Sequence, residues 1–219
     1  MHTFLKINDP EVYAIPIQEN NESLVDLRVQ HREFFLGDAR ELSEEVPAET
    51  SFFRKSAAEY LANAAKNLPA GILFKIKEAH RPLETQRRIF FATMKRIQEE
   101  NPDWSEAQVY EKTSTFVAPP DNTPPHSTGG AIDLTLMTVD GAELDMSTDS
   151  KKTGYTDACY TYSETISDQA KANRSILINV MQDAGFVNYP AEWWHWSYGD
   201  RYWAYMLEKP FAIYGSKEM

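Results

Sequence analysis

An α+β fold, with helices flanking an antiparallel sheet, is what the order of patterns along the chain predicts. Three observations carry that reading. Stretches of period 2 and of period 3.6 are segregated and do not alternate regularly, as a series of βαβ units would require. The run at 131–136 keeps the strict parity of a half-buried strand. No internal repeat, linker or low-complexity stretch divides residues 1–219, which predicts one domain.

Ser23-Leu-Val-Asp-Leu-Arg-Val29 alternates as a strand does, and the acidic, proline-containing segment 41–49 reads as a loop. Phe53, Ala57, Tyr60, Leu61, Ala64 and Leu68 recur at three- and four-residue spacing, predicting a helix over 51–68 that Pro69 and Gly71 stop. Ile72, Phe74 and Ile76 share one face of a strand at 72–79. Pro82 is placed at the first position of the next helix, whose stripe is Leu83, Gln86, Phe90, Met94 and Ile97 and which ends before Pro102. Ser105 and Gln108 make a capping box for a short helix ending near Thr115.

Prolines 119, 120, 124 and 125 predict an extended, stiff approach to His126. In the strand 131–136, Ile132, Leu134 and Leu136 face the core, so Asp133 and Thr135 face the other way. A turn follows at Val139-Asp-Gly141, and the polar region 147–163 has too little periodicity to assign. A long helix is predicted over 163–184, with Ile166, Ala170, Ile176, Leu177, Val180 and Met181 inward and Gly185 as its cap. Trp193 to Tyr198 reads as a strand. Glu192 and His195 would face opposite sides of that strand, so Glu192 is expected in a loop or bulge just before it.

Composition narrows the partners. A net charge of -11 and a pI near 4.9 argue against nucleic acid or an anionic membrane, which would want a basic face. A small substrate fits better. The single cysteine, Cys159, excludes an intrachain disulfide and reads as a small buried hydrophobe. The N-terminus shows no basic start with an apolar run, and no apolar stretch reaches a membrane span, so a cytoplasmic protein is expected.

The chemistry-bearing residues are His126-Ser-Thr-Gly-Gly-Ala-Ile-Asp133 and Glu192-Trp-Trp-His195. His126 and Asp133 offer an imidazole and a carboxylate, His195 a third ligand, and Glu192 a carboxylate able to hold a proton. Three protein ligands plus a water make a catalytic zinc site, whereas four would close it. One Zn²⁺ per chain is expected.

These motifs, with Arg81-Pro82 at the mouth of a helix and Trp196-Ser-Tyr-Gly-Asp200 after the last ligand, resemble the zinc D-Ala-D-Ala dipeptidases associated with vancomycin resistance. The likeness covers nearly the whole chain, including Leu24-Val-Asp-Leu27, Ile132-Asp-Leu-Thr-Leu136 and Glu143-Leu-Asp-Met146. The wider D,D- and L,D-carboxypeptidase superfamily shares only the metal motifs and the arginine. The resemblance implies that His126, Asp133 and His195 ligate zinc, that Glu192 is the catalytic base, and that Arg81 steadies the oxyanion.

Three positions depart from the pattern. Pro124 stands where the family has a serine hydroxyl, His80 where it has a tyrosine, and Lys151 where it has an acid for the substrate's amine, with Asp149 close by. His80, Ser127, Asp149 and Lys151 are the candidates for substrate contact, and free D-Ala-D-Ala is expected to be a poor substrate. The reading is a zinc dipeptidase acting on a small dipeptide. Its alternatives are a D,D- or L,D-carboxypeptidase on muropeptides and a non-catalytic zinc-binding module of the same fold. Retention of Glu192 and Arg81, neither needed merely to hold a metal, weighs against the last.

Overall fold

Leu134 and Leu136 are fully buried on one face of the central strand, and the rest of the fold is arranged around that face. The computed structural model describes residues 4–30, 51–115, 117–148 and 156–218. In chain order the elements are α1 (Pro10–Tyr13), β1 (Leu24–Asp26), β2 (Phe52–Arg54), α2 (Lys55–Lys66), β3 (Ile72–Glu78), α3 (Leu83–Glu100) and α4 (Glu106–Ser114). Then come β4 (Ala131–Thr138), α5 (Asp168–Asp183), β5 (Val187–Asn188), β6 (His195–Ser197) and α6 (Arg201–Met206).

Both sheets are antiparallel: a pair, β1-β2, and a four-stranded sheet in the order β3-β4-β6-β5. The α+β class therefore holds. Ile132, Leu134 and Leu136 join Phe74 and Trp196 from neighbouring strands, Leu61 from α2 and Leu177 and Met181 from α5 in one buried cluster. Each such side chain contributes about 1.5–3 kcal/mol when fully buried. The parity expected of β4 is met: Asp133, between two core residues, is turned to the other face.

Several boundaries differ from expectation. Residues 52–54 were expected to be helical but form β2, because Leu24, Val25 and Asp26 pair with Arg54, Phe53 and Phe52. The helix starts only at Lys55, and Tyr60, placed on its inward stripe, is 42% exposed. Pro82 is the N-cap of α3, not its first residue. The capping box of Ser105 and Gln108 forms as expected. The approach to His126 is not simply extended, since Pro120–Asn122 and Pro125–Thr128 are single 3-10 turns. The long helix begins at Asp168 rather than near 163, because Ser167 accepts from the Ala170 amide and caps it there. Gly185, at φ +85°, ends it as expected. Cys159 is buried in the core cluster. The loop expected at 41–49 and the candidate contacts Asp149 and Lys151 lie outside the described residues.

Candidate metal centre and substrate cleft

His126 reaches the site from a 3-10 turn, Asp133 from the third position of β4, and His195 from the first position of β6. Asp133 and His195 are register partners across the β4–β6 pair, so the sheet itself brings them together. The turn carrying His126 is held to the strand by two glycines. Gly129 sits at φ +71°, and a Cβ there would lie 2.4 Å from Leu24 Cδ2. A Cβ on Gly130 would lie 2.3 Å from the Tyr198 carbonyl oxygen. Only glycine fits between the His126 turn and its neighbours, which explains the Gly-Gly step of the motif.

Arg54 anchors the same segment from beneath. It is fully buried, its Nε donates to Thr128 O at 2.7 Å, and its two Nη atoms donate to the two carboxylate oxygens of Glu19 at 2.8 and 2.9 Å. The Arg54 amide donates to Gly129 O at 2.8 Å.

The three candidate ligand atoms form a tight triangle. His195 Nδ1 lies 3.0 Å from Asp133 Oδ1 and 3.1 Å from His126 Nε2, and His126 Nε2 lies 3.3 Å from Asp133 Oδ1. Zinc bonds of about 2.0–2.2 Å in a tetrahedron put ligand atoms about 3.3–3.6 Å apart. The observed triangle is close to that size. His126 Nδ1 donates to Ala79 O at 2.7 Å, which leaves the Nε2 lone pair for the site and supplies the outer hydrogen bond that orients a ligating imidazole. Ser197 Oγ stands 3.5 Å from His195 Nε2 on the far side of that ring. Two nitrogen lone pairs and a carboxylate so close together repel one another unless a cation or proton is shared among them. The donor set therefore fits a divalent zinc-type ion.

The electrostatics agree. Burial pushes His126 down, but the Asp133 charge and hydrogen bond outweigh it, and its pKa lies above the usual 6.5. Burial would raise Asp133, yet His126 and His195 hold it well below the ordinary carboxylate range. Glu192 occupies the turn just before β6, as its spacing from His195 requires, with Oε2 4.0 Å from His195 Nδ1. It is 9% exposed and lines a cleft of about 290 Å³ together with the three candidate ligands.

Arg81 lines the same cleft. Its Nε donates to Glu78 Oε1 at 2.7 Å, a second nitrogen meets Glu78 Oε2, and Nη1 donates to Gln86 Oε1 at 2.6 Å. Burial raises the Glu78 carboxyl, but the charge and hydrogen bonds of Arg81 outweigh it and hold its pKa below the usual 4.5. Tyr189 also lines the cleft, and burial with the adjacent Glu192 charge pushes its phenol far up, so it stays a hydroxyl donor.

Two expected substrate contacts are placed elsewhere. His80 is fully buried outside the cleft lining, and its Nε2 lies 2.7 Å from Lys217 O, where it ties down the C-terminal segment. Ser127 donates to Arg81 O at 2.8 Å and does not line the cleft either. Glu78, Gln86, Asn8 and Ser114 do line it, and none stood out in the sequence. Glu78 meets Arg81 across the end of β3 and not along a helix, so no helical spacing announces the pair.

Residues 36–214 match the family model described as D-ala-D-ala dipeptidase. A D-alanyl-D-alanine dipeptidase of Synechocystis sp. is 30% identical over 169 residues, covering 64% of this chain and 68% of that protein. The D-alanyl-D-alanine dipeptidase of Escherichia coli is 37% identical over 70 residues, 32% of this chain and 35% of that one. That of Enterococcus faecium is 37% identical over 71 residues, with the same shares. Among solved structures, a vancomycin-resistance D,D-pentapeptidase VanY in complex with Zn(II) aligns at a TM-score of 0.42 and 18% identity, over 72% of this chain and 80% of that one. With the family model matched over residues 36–214 and the candidate ligands gathered at one cleft, this chain belongs to the D-Ala-D-Ala dipeptidase family.

Proposed function

We propose that the protein is a zinc-dependent dipeptidase that hydrolyses D-Ala-D-Ala or a closely related small dipeptide. The observation that carries the reading is the triangle of His126 Nε2, Asp133 Oδ1 and His195 Nδ1, with edges of 3.0–3.3 Å, beside the Glu192 carboxylate in one cleft. Family membership supports the dipeptide as substrate, and a cleft of about 290 Å³ suits a ligand of that size.

His126, Asp133 and His195 would hold the ion. Zinc so held supplies Lewis acidity, lowering the pKa of a water to about 7 and polarising a carbonyl. Glu192 accepts the proton of the attacking water and returns it to the leaving amine, the work of a general base that becomes a general acid. Arg81, fixed by Glu78 and Gln86, presents positive charge to the oxygen on which negative charge develops. The Glu78 and Gln86 bonds remove the need to order a long side chain during the reaction.

A cytoplasmic location is part of the proposal, and fractionation of cells making the tagged chain checks it. Among the described residues no helix is long and apolar enough to cross a membrane.

The test separates metal from proton. Glu192→Ala should keep its zinc and lose activity on D-Ala-D-Ala by at least about 10²-fold, the lower range for a general acid-base group. His195→Ala should lose both. A Glu192→Ala protein that purifies without zinc would exchange the two roles, and a zinc-loaded parent that cleaves no dipeptide would sink the reading.

A further inference from the structure

Glu192 reaches the cleft from the turn that joins β5 to β6, and that turn is closed around the side chain of one residue, Asn188. Asn188 Nδ2 donates to Glu192 O at 3.1 Å, to Trp193 O at 3.4 Å and to His195 O at 3.0 Å. On the other side of the amide, Thr161 Oγ1 donates to Asn188 Oδ1 at 2.5 Å. Both residues are buried, and neither lines the cleft. Rotated by half a turn, the amide would set Oδ1 against three carbonyl oxygens, so the hydroxyl and the carbonyls together fix which end faces the turn.

His195 is held without Asn188. It pairs with Asp133 in the β4–β6 register, and its carbonyl also accepts from the Tyr189 amide at 3.1 Å. Glu192 lies outside both strands, and its backbone bonds run to Tyr189 O and from the His195 amide, the two ends of the same turn. The turn is braced from outside by the segment 159–161, where Cys159 O accepts from the Trp193 amide and the Thr161 amide donates to Pro190 O, each at 3.0 Å. That segment is fixed from behind by the buried Arg174, whose Nη1 donates to Tyr160 O and Nη2 to Ala158 O, both at 2.7 Å.

We propose that Asn188 and Thr161 are positioning residues for the Glu192 base: Thr161 aims the Asn188 amide, and the amide sets where Glu192 stands relative to the candidate metal ligands. The inference rests on the dipeptidase reading above and deepens it by naming what holds its base. Glu192 Oε2 lies 4.0 Å from His195 Nδ1, so a shift of about an ångström takes the carboxylate off the geometry that proton transfer needs, and misplacement on that scale costs about 10²-fold. Because neither residue lines the cleft, the cost falls on the chemical step and not on substrate binding.

Three variants test it. Thr161→Val removes the hydroxyl and keeps the shape, Thr161→Ser keeps the hydroxyl, and Asn188→Asp replaces the donating nitrogen with an oxygen. On D-Ala-D-Ala, zinc-loaded Thr161→Val should lose about 10- to 100-fold in kcat with KM and zinc content unchanged, and Thr161→Ser should recover most of that loss. Asn188→Asp should lose at least as much as Thr161→Val. In a Glu192→Ala background, Thr161→Val should cost nothing further, because the group it positions is gone. Crystal structures of the zinc-loaded parent, Thr161→Val and Thr161→Ser proteins give a readout that needs no turnover. In Thr161→Val the Asn188 amide should leave Glu192 O and the Glu192 carboxylate should shift, with His126, Asp133 and His195 in place. An equal loss in both backgrounds, a loss in KM or zinc instead of kcat, or an unmoved Glu192 would overturn the proposal. If the parent cleaves dipeptides and Thr161→Val is fully active, only this inference fails. If the zinc-loaded parent cleaves none, the dipeptidase reading fails, and the structures still decide whether Thr161 and Asn188 place Glu192.

Discussion

Glu78 and Asp133 are register partners across the β3–β4 pair, and each carboxylate holds a different half of the site. Glu78 grips Arg81, while Asp133 contacts His126 and His195. Two adjacent acids are tolerated because they face different partners, Glu78 the Arg81 guanidinium and Asp133 the two imidazoles. A shift between Ile76 and Glu78 interrupts the β3–β4 register beside this pairing. Bulges of this kind re-aim side chains next to active sites.

Removing the charge of Glu78 should therefore disable Arg81 without touching the metal. Glu78→Gln is expected to lower kcat by about 10- to 100-fold, as loss of an orienting partner commonly does, with zinc content unchanged. Steady-state kinetics alongside metal analysis check this. A normal kcat would show that Gln86 alone fixes the guanidinium.

Zinc binding should release protons. Asp133 holds the His126 pKa above its usual 6.5, so near neutral pH some metal-free molecules carry a proton on the nitrogen that zinc must occupy. Raising the pH through that pKa removes the competitor, so affinity rises and then levels off. Calorimetric titration in buffers of different ionisation heat measures the protons released. No buffer dependence between about pH 6 and 8 would contradict the coupling of His126 to Asp133.

Gly130→Ala should be costly where Gly141→Ala is not. The Cβ at 130 would meet the Tyr198 carbonyl at 2.3 Å and Tyr214 Cδ2 at 2.8 Å, a backbone whose amide donates to Gly130 O and a buried ring whose hydroxyl donates to Glu22, whereas a Cβ at 141 meets open space. We expect about 2–3 kcal/mol at 130, the upper part of the overpacking range, against about 1 kcal/mol at 141 for its positive φ. Chemical denaturation of the two variants decides it. Equal losses would show that the strands move apart freely.

Acid should unfasten the base of the site. Burial raises the Glu19 carboxyl, but the hydrogen bonds from Arg54 and the Gly215 amide outweigh it, so the folded-state pKa lies below the usual 4.5. A depressed pKa means stability that is fully present above the unfolded value and is lost as the pH falls through the folded one. Between neutral pH and that window Glu19→Gln should be less stable than the parent, and below it the difference should shrink. Denaturation midpoints measured at pH 7 and pH 3 test this, and a gap that stays constant would rule out linkage through Glu19.

How much of this was written in the sequence depends on the range of the interaction that decides each feature. The parity of β4, the capping box of α4 and the Glu192 turn were legible because each rests on neighbours within a few residues. The grouping of His126, Asp133 and His195 was legible because imidazole and carboxylate types at those spacings are chemically restrictive. Residues 52–54 were misread as helix because their strand partner, Leu24–Asp26, lies some way back along the chain and no local period reports it. His80 looked like a substrate contact until Lys217, at the far end of the chain, proved to be its partner. Ser114 and Asn8 carry no motif at all. Their placement along one cleft arises only when α3, α4, the N-terminal segment and the sheet pack together. Local periodicity determines which residues are buried, and packing alone decides which of the polar ones line a cleft.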